Sequence, residues 1–387
     1  MINYMLKFAI YSMHLFLFSS LIFISQKCFV EMNPDMAPNV VTSTLTCETT
    51  IPNPPVKKPY KRSIVWRNVL LFIYLHIAAL YGLYLMFFSA KLATVAFAIL
   101  AYQVAALGIT AGAHRLWSHR SYKAKYPLQI LLAFFNTVSF QNSIYEWARD
   151  HRLHHKYSET NADPHNATRG FFFSHIGWLL CRKHPDVMEK GKGIDMSDLK
   201  ENPVVMFQHR HYLKLMPLCC FIIPTMIPMY FWGESFVNSW FVATMFRYCF
   251  SLNMTWLVNS AAHMWGNRPY DKNINPAENF VVAIGASGEG WHNYHHVFPW
   301  DYKAAELGDY KMNFTTAFID FMARIGQAYD CKIVPDSVVR SRMQRTGMMS
   351  AAPVKKNPEE EVHPWGWGDE TIPEEDTKIA ETMYKKE

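Results

Sequence analysis

The chain has seven cysteines but no C-x-x-C pair and no even framework spacing. That argues against a disulfide scaffold and a thiolate zinc site, and leaves Cys28, Cys47, Cys181, Cys219, Cys220, Cys249 and Cys331 as ordinary reduced thiols. There is no internal repeat, no H-E-x-x-H string and no H-x-E deaminase string, so the usual single-zinc hydrolase signatures are missing. Charge is also sparse. Only 18% of the 387 residues are Asp, Glu, Lys or Arg, and the net +6 is spread over many loops. A nucleic-acid footprint is therefore not expected, whereas anionic headgroups or a phosphate-bearing substrate are compatible partners.

What the chain has is apolar residues, half of the total, and they are bunched. Windows of about 20 apolar residues are long enough to cross a bilayer. The reading gives four spans, at about 69–88, 92–111, 215–232 and 236–258. The first two form a hairpin through Ser89-Ala90-Lys91, and the last two form a second. Pro217, Pro224 and Pro228 in the third span are tolerable in a membrane helix and predict a kink. Arg247 in the fourth either protrudes from the bilayer or faces the protein interior, as a snorkelling or paired arginine. Residues 128–147 are apolar but interrupted by Asn136, Gln141, Asn142 and Glu146, which suits an interfacial or core helix better than a fifth span.

Lys57, Lys58, Lys61, Arg62 and Arg67 precede the first span, and Arg115, Arg120, Lys123 and Lys125 follow the second. The hairpin tips offer only Lys91 and Glu234. The positive-inside rule then places both termini and the middle segment in the cytosol. Three readings compete for residues 1–63: a cleaved signal, an extra anchor, or an extension ahead of a start at Met32 or Met36. The last is favoured, with the segment a poorly ordered extension and polar linker. Residues 64–347 form the membrane domain, and 348–387 read as a flexible, solvated tail.

Histidines supply the chemistry. They recur as His114-x4-His119, His151-x2-His154-His155 and His292-x2-His295-His296, with Asn259 and His263 four apart after the fourth span. On a helix, residues three and four apart share a face, so each H-x-x-H-H string can aim its imidazoles into one volume. His114 and His119, five apart, splay on a continuous α-helix; each serves a different ion, or the helix ends between them. Asn259 is a weak ligand and better suited to holding a metal-bound water. Nine neutral ligands exceed what one four-coordinate zinc uses, so two ions are expected, though imidazole spacing does not name the element. Occupancy should fall as pH drops below the histidine range, about 6.5. Asp150, Asp163 and Glu289 flank the strings and are candidates for orienting imidazole N–H groups. Isolated histidines (His14, His76, His165, His175, His184, His209, His211, His363) read as surface or satisfied polar residues.

With these residues in view, the chain resembles the membrane acyl-CoA desaturases of the stearoyl-CoA desaturase family, and an insect-like member of it, over roughly Trp66 to Gly347. The resemblance rests on GITAGAHRLWSHRSYKA from Gly108, EWARDHRLHHKYSET from Glu146, ADPHNATRGFFFSHIGWLL from Ala162, TWLVNSAAH from Thr255 and GEGWHNYHHVFPWDY from Gly288. It implies an all-α integral membrane protein of four transmembrane helices under a helical cytosolic cap. In that family two irons are held by nine histidines and an asparagine-bound water, which fall here on His114, His119, His151, His154, His155, His263, His292, His295, His296 and Asn259.

The implied reaction puts a cis double bond, by default delta-9, into a saturated fatty acyl-CoA. It uses two Fe2+ ions, dioxygen, and electrons from NADH through cytochrome b5 and its reductase, at the endoplasmic reticulum membrane. The CoA head is implied to lie on Asn68, Asn142, Arg149, Asp150, Arg182 and Lys183, where basic groups complement phosphates. The acyl tunnel is implied to bend near Gln141, Trp147, Thr255 and Trp256 and to close at Tyr102 and Ala106. Trp291 stands where Phe is common in the family, and His363-Pro364-Trp365-Gly366 breaks the H-P-G-G motif of a fused cytochrome b5 domain, so the electron donor is a separate protein. Alternatives carried forward are another bond position such as delta-11 in pheromone synthesis, a lipid hydroxylase on the same fold, and a histidine-rich metal transporter. A transporter should place ligands inside its spans. Topology is checked at the sequons Asn166, Asn253 and Asn313: Asn166 is expected to carry no glycan, and a glycan there would put the middle segment in the lumen.

Overall fold

The computed structural model describes residues 62–306, 310–351 and 363–386, so the readings of the extreme N-terminus lie outside the described residues. Helix α1 spans Trp66–Phe88 and α2 spans Leu92–Ser118, a hairpin turning at Ser89 to Lys91 as the sequence predicts. Helix α2 runs past the expected end of its span, because its last part, Gly108–Ser118, continues with i→i+5 hydrogen bonds. Two shorter helices follow, α3 (Tyr126–Ser139) and α4 (Ile144–Lys156). The apolar stretch read as one interfacial or core helix is thus two. Phe140 (φ 48°) and Asn142 (φ 74°) break it in the left-handed region, and Ser143 restarts it as an N-cap, its hydroxyl accepting from Glu146 N at 3.4 Å and donating to Glu146 Oε2 at 2.9 Å. Of the polar interruptions, Asn136 is buried. Gln208 of the next long helix donates to Asn136 Oδ1 at 2.9 Å and accepts from Ile144 N at 3.1 Å.

That helix, α5 (Pro203–Trp232), begins twelve residues before the expected third span. Its irregularity is a widened turn at Pro217–Ile222 with i→i+5 bonds, where Pro217 can donate no N–H and crowds the carbonyl one turn back. Helix α6 covers residues 236–259, with a similar widened stretch at Ser239–Phe246. Among the described residues three helices, α1, α2 and α5, are long and apolar enough to cross a membrane; α6 is not one of them. The reason lies in its surroundings. Ala243, Arg247, Cys249, Ser251 and Asn253 are all buried, so α6 is walled by protein, while α1 leaves Leu70, Leu71, Ile77, Phe87 and Phe88 exposed along one side. Arg247 faces the interior and is 1% exposed. Its guanidinium donates to the carbonyls of Val138 (3.2 Å), Cys220 (2.9 Å) and Ala243 (3.3 Å), two of which lie in the widened turns that leave carbonyls in need of donors.

The two hairpin tips are fastened to each other. Glu234 accepts from Lys91 N (2.8 Å) and Thr94 Oγ1 (2.6 Å) at the start of α2, and from Ser235 N and Asn238 Nδ2 (both 2.9 Å) at the start of α6. At the opposite end a second core packs Trp117, Leu132, Ile144, Leu153 and Leu199 against Ile319 of α8 (Phe314–Arg324); α7 is the short helix His292–Val297. Strand β1 (Lys123–Ala124) pairs antiparallel with β2 (Ala328–Tyr329), and β3 (Cys331–Ile333) with β4 (Glu381–Met383).

The last pairing overturns the expectation of a free tail after Gly347. Over 363–386 the chain is docked, with Trp365 (3% exposed), Asp369 and Ile372 buried, because two tryptophans and an isoleucine in this polar stretch find apolar seats on the domain. Helices approach closely only where side chains vanish. A Cβ on Gly108 would lie 2.2 Å from the Asn136 nitrogen, and one on Gly82 2.1 Å from the Phe241 oxygen. Gly108→Val is therefore expected to cost at least about 1–3 kcal/mol, the usual range for overpacking, since backbone must move. Gly191→Ala, whose Cβ meets only a Leu153 methyl at 3.7 Å, should shift stability by less than about 1 kcal/mol. Thermal melting of detergent-purified variants compares the two.

Candidate metal centre

The nine histidines of the sequence motifs meet at one end of the bundle and sort into two groups, five (His114, His119, His151, His155, His295) and four (His154, His263, His292, His296); within each, the ligand atoms lie within 4.8 Å of one another. Helical period explains the sorting. On α4, His151 and His155 are one turn apart and share the first group, while His154 turns to the second. On α7, His292 and His296 share the second group and His295 crosses to the first. His263 comes from the single turn Ala261–Met264 that continues beyond α6.

His114 and His119 belong to the same group, with ring centroids 4.7 Å apart, which corrects the expectation that each serves a different ion. The helix does end between them, at Ser118. It ends with an i→i+5 bond, His119 N to His114 O at 3.0 Å, and in that wider spiral residues five apart stack on one side.

The Nδ1 atoms of four rings have acceptors: His114 on Glu289 (2.7 Å), His154 on Asp163 (2.9 Å), His263 on Glu159 (2.8 Å), and His119 on the Trp365 carbonyl. A neutral imidazole donating from Nδ1 has a bare Nε2 lone pair. The Nε2 atoms then crowd together, His114 to His295 at 2.9 Å, His295 to His155 at 3.1 Å, His119 to His151 at 2.8 Å, His263 to His292 at 3.0 Å and His292 to His296 at 3.1 Å. His295 and His292 each face two such neighbours, and one N–H can satisfy only one. The surplus lone pairs need a cation. Two nitrogens bound to one ion at about 2.0–2.1 Å and at right angles stand about 3 Å apart, so the donor set fits two metal ions.

Asp163 and Glu289 orient imidazoles as the sequence allows; Asp150 does not. It pairs instead with Arg149 (3.0 Å) and Lys183. Sequence reasoning missed Glu159, held at φ 65° just past α4 and 104 residues from its partner His263, and it missed the Trp365 carbonyl. It also set aside His165, which is buried and grouped with His154 and Asp163. Arg115 donates to Glu289 at 2.7 Å, and despite burial Arg115 and His114 hold this carboxyl below its ordinary range. Burial first, then repulsion among the imidazoles, holds His119, His151, His154, His155, His292, His295 and His296 well below 6.5.

A narrow, mostly apolar cavity runs from this centre into the bundle. Tyr102, Ala106, Trp147 and Thr255 line it, as do Asn259, His114, His154 and His292. Asn259 thus stands beside the four-histidine group without being part of it. Trp147 stacks on His151 at 4.7 Å, Gln141 donates to Thr255 Oγ1 at 3.0 Å, and the Tyr102 hydroxyl donates to the Gly285 carbonyl. Trp256 does not line this cavity. It is buried on the other side of α6 against Phe72 (5.4 Å) and His175 (5.7 Å).

Of the residues expected to meet a polar head, Arg149, Asp150 and Lys183 form one cluster. The backbone N–H of Arg182 donates to Ser63 O at 2.9 Å, its side chain exposed, and Asn68 donates to Leu179 O at 2.8 Å. Asn142 stands apart from that cluster, exposed at the α3–α4 break.

The fatty acid desaturase family model matches residues 89–307. The chain is 69% identical over 330 residues to an acyl-CoA Delta-9 desaturase of Acheta domesticus, covering 85% of this chain and 89% of that protein. It is 62% identical over 320 residues to an acyl-CoA Delta12-desaturase of the same species, covering 83% and 87%. Against stearoyl-CoA desaturase 2 of Mus musculus it is 60% identical over 289 residues, 75% of this chain and 80% of that protein.

Two outcomes are expected. Glu159→Gln, which weakens the acceptor behind His263, should lower metal affinity about 10- to 100-fold by chelator competition, the usual effect of losing such a partner. In metal-free protein the seven depressed imidazoles remain neutral when folded, whereas in the unfolded chain they take up protons from about 6.5 downward. The unfolded state then binds more protons, so the contribution of these rings to stability is level above that pH and falls below it, as melting temperature between about pH 6.5 and 5 will read. Metal loss should likewise begin at a lower pH than a free imidazole would set.

Proposed function

The chain belongs to the fatty acid desaturase family, and from that premise we propose that it is an acyl-CoA desaturase introducing a cis double bond, at delta-9, into a saturated fatty acyl-CoA. The observation that carries the reading is two histidine groups of metal-binding geometry lining one part of a mostly apolar cavity. Methylene C–H bonds have no acidic proton for a base to remove. A redox-active pair is required, which zinc is not. Two irons, when bound, supply an oxidant made from dioxygen; overall one dioxygen, two electrons, two protons and two chain hydrogens become two waters and one C=C bond.

The protein's own residues do the rest. His114, His119, His151, His155 and His295 would hold one iron, and His154, His263, His292 and His296 the other, with Asn259 placed to carry a water. Glu289, Asp163 and Glu159 keep the rings in the tautomer that leaves Nε2 free. Trp147 and Thr255 shape the bend beside His151, and the apolar wall keeps water from the oxidant. Arg149, Asp150 and Lys183, with Asn68, Asn142 and Arg182, receive the CoA head, the cations meeting its phosphates. Tyr102 and Ala106 form the floor that limits acyl length. Helix α6 is the fourth span, so both termini and the histidines lie on the cytosolic face of the endoplasmic reticulum under a helical cap, where cytochrome b5 and its reductase deliver electrons from NADH. Identity to Delta12 as well as Delta-9 relatives makes bond position the property most open to small changes in the cavity.

Expression in a desaturase-deficient yeast, with double bonds located by mass spectrometry, is expected to give delta-9 cis products. Hydroxylated lipids would sink desaturation, and unchanged lipids from verified, metal-loaded protein would sink the enzyme reading. Ala106→Phe should shift products toward shorter chains. Since one methylene in a closed apolar pocket is worth roughly 10- to 200-fold, the long-to-short product ratio should fall by at least about 10-fold.

A further inference from the structure

The segment 363–372 lies beyond the family match, and its sequence stands out only as a broken haem motif. In the structure it closes over the end of α2. The chain passes through Gly366 at φ +155°, where a Cβ would lie 2.5 Å from the His119 oxygen and 2.6 Å from its Cα; only glycine allows that approach. On either side of it the backbone grips the same histidine. The His119 Nδ1–H donates to the Trp365 carbonyl, and Trp367 N donates to the His119 carbonyl at 2.8 Å.

The grip is itself braced. The Trp365 ring, buried, lies under the Arg152 guanidinium at 4.1 Å. Arg152 also donates to the carbonyls of Trp117 (2.7 Å) and Ser118 (3.0 Å), the two residues before His119, and pairs with Asp198. Asp369 accepts from Trp365 N at 3.3 Å and from Thr371 N at 2.8 Å, which fixes the turn. Ile372 is seated in the core of Tyr270, Tyr294 and Trp300. His114, His154 and His263 lean on carboxylates, whereas His119 leans on a main-chain carbonyl brought by the far end of the chain.

We propose that the C-terminal segment is a built-in part of the metal centre, in which Trp365 and Gly366 are positioning residues that fix the tautomer and direction of His119 so that the five-histidine group keeps its ion. This rests on the metal-binding reading above. A ligand whose ring is held at both the N–H and the backbone has little freedom to turn away, and loss of such support commonly lowers metal affinity. The segment is thus a strap and not a tail.

The test uses the full-length chain loaded with iron, reading iron per chain and the rate of release to a chelator. Gly366→Val should hold about half the wild-type iron, or release one of two ions about 10- to 100-fold faster. Gly368→Val is the control, since it strains the same turn (φ +92°) but meets only the Arg120 side chain, at 3.2 Å; it should keep both ions. Trp365→Ala, which removes the ring beneath Arg152 and leaves the carbonyl, should give an intermediate release rate and decides the matter if Gly366→Val does not fold. Wild-type release from Gly366→Val or from Trp365→Ala would overturn the proposal, and so would equal loss in both glycine variants. A wild-type chain that takes up no iron would instead remove the metal-binding reading itself.

Discussion

Nine imidazole lone pairs converging in a buried volume is the constraint on which this end of the molecule depends. Close lone pairs repel, and for seven of the rings burial disfavours relief by protonation, so the arrangement calls for a cation among them. Everything around the centre serves that condition. Carboxylates and a carbonyl take up the Nδ1 hydrogens of four rings, Arg115 and Arg152 tie together the segments that carry the rings, and the helices bearing H-x-x-H-H present one turn's spacing to each group. The mostly apolar cavity adjoins the donors, with His114, His154 and His292 in its wall.

Much of this was legible in the sequence, and the legible part has a common cause. The H-x-x-H-H strings obey the period of an ordinary α-helix, so His151, His155, His292 and His296 could be put on shared faces without coordinates. His114 and His119 defeat the same reasoning, because the chain there follows a wider spiral that sequence does not announce. Glu159 and Trp365 were invisible for another reason: their partners are 104 and 246 residues away, and nothing local marks a turn carboxylate or a main-chain oxygen as part of a site.

The fold divides in the same way. Helices α1 and α2 were plain, since their outward faces are apolar. Helix α6 is buried by its neighbours and therefore carries polar residues that lower its hydropathy, which blurs the signal in the helix most enclosed by the others. Trp256 was drawn into the tunnel by resemblance, yet it faces the opposite side of α6, where Phe72 and His175 receive it. The last residues looked solvated because acidic side chains dominate them, and the few that matter, Trp365, Gly366 and Ile372, are outnumbered.

Arg247 has a bearing on how the protein is made. A buried guanidinium without partners is costly, by several kcal/mol, and here its solvation comes from the carbonyls of Val138 and Cys220. Both precede it in the chain. Translation therefore delivers the charge's shell before the charge, so the carbonyls that receive the guanidinium already exist when it emerges.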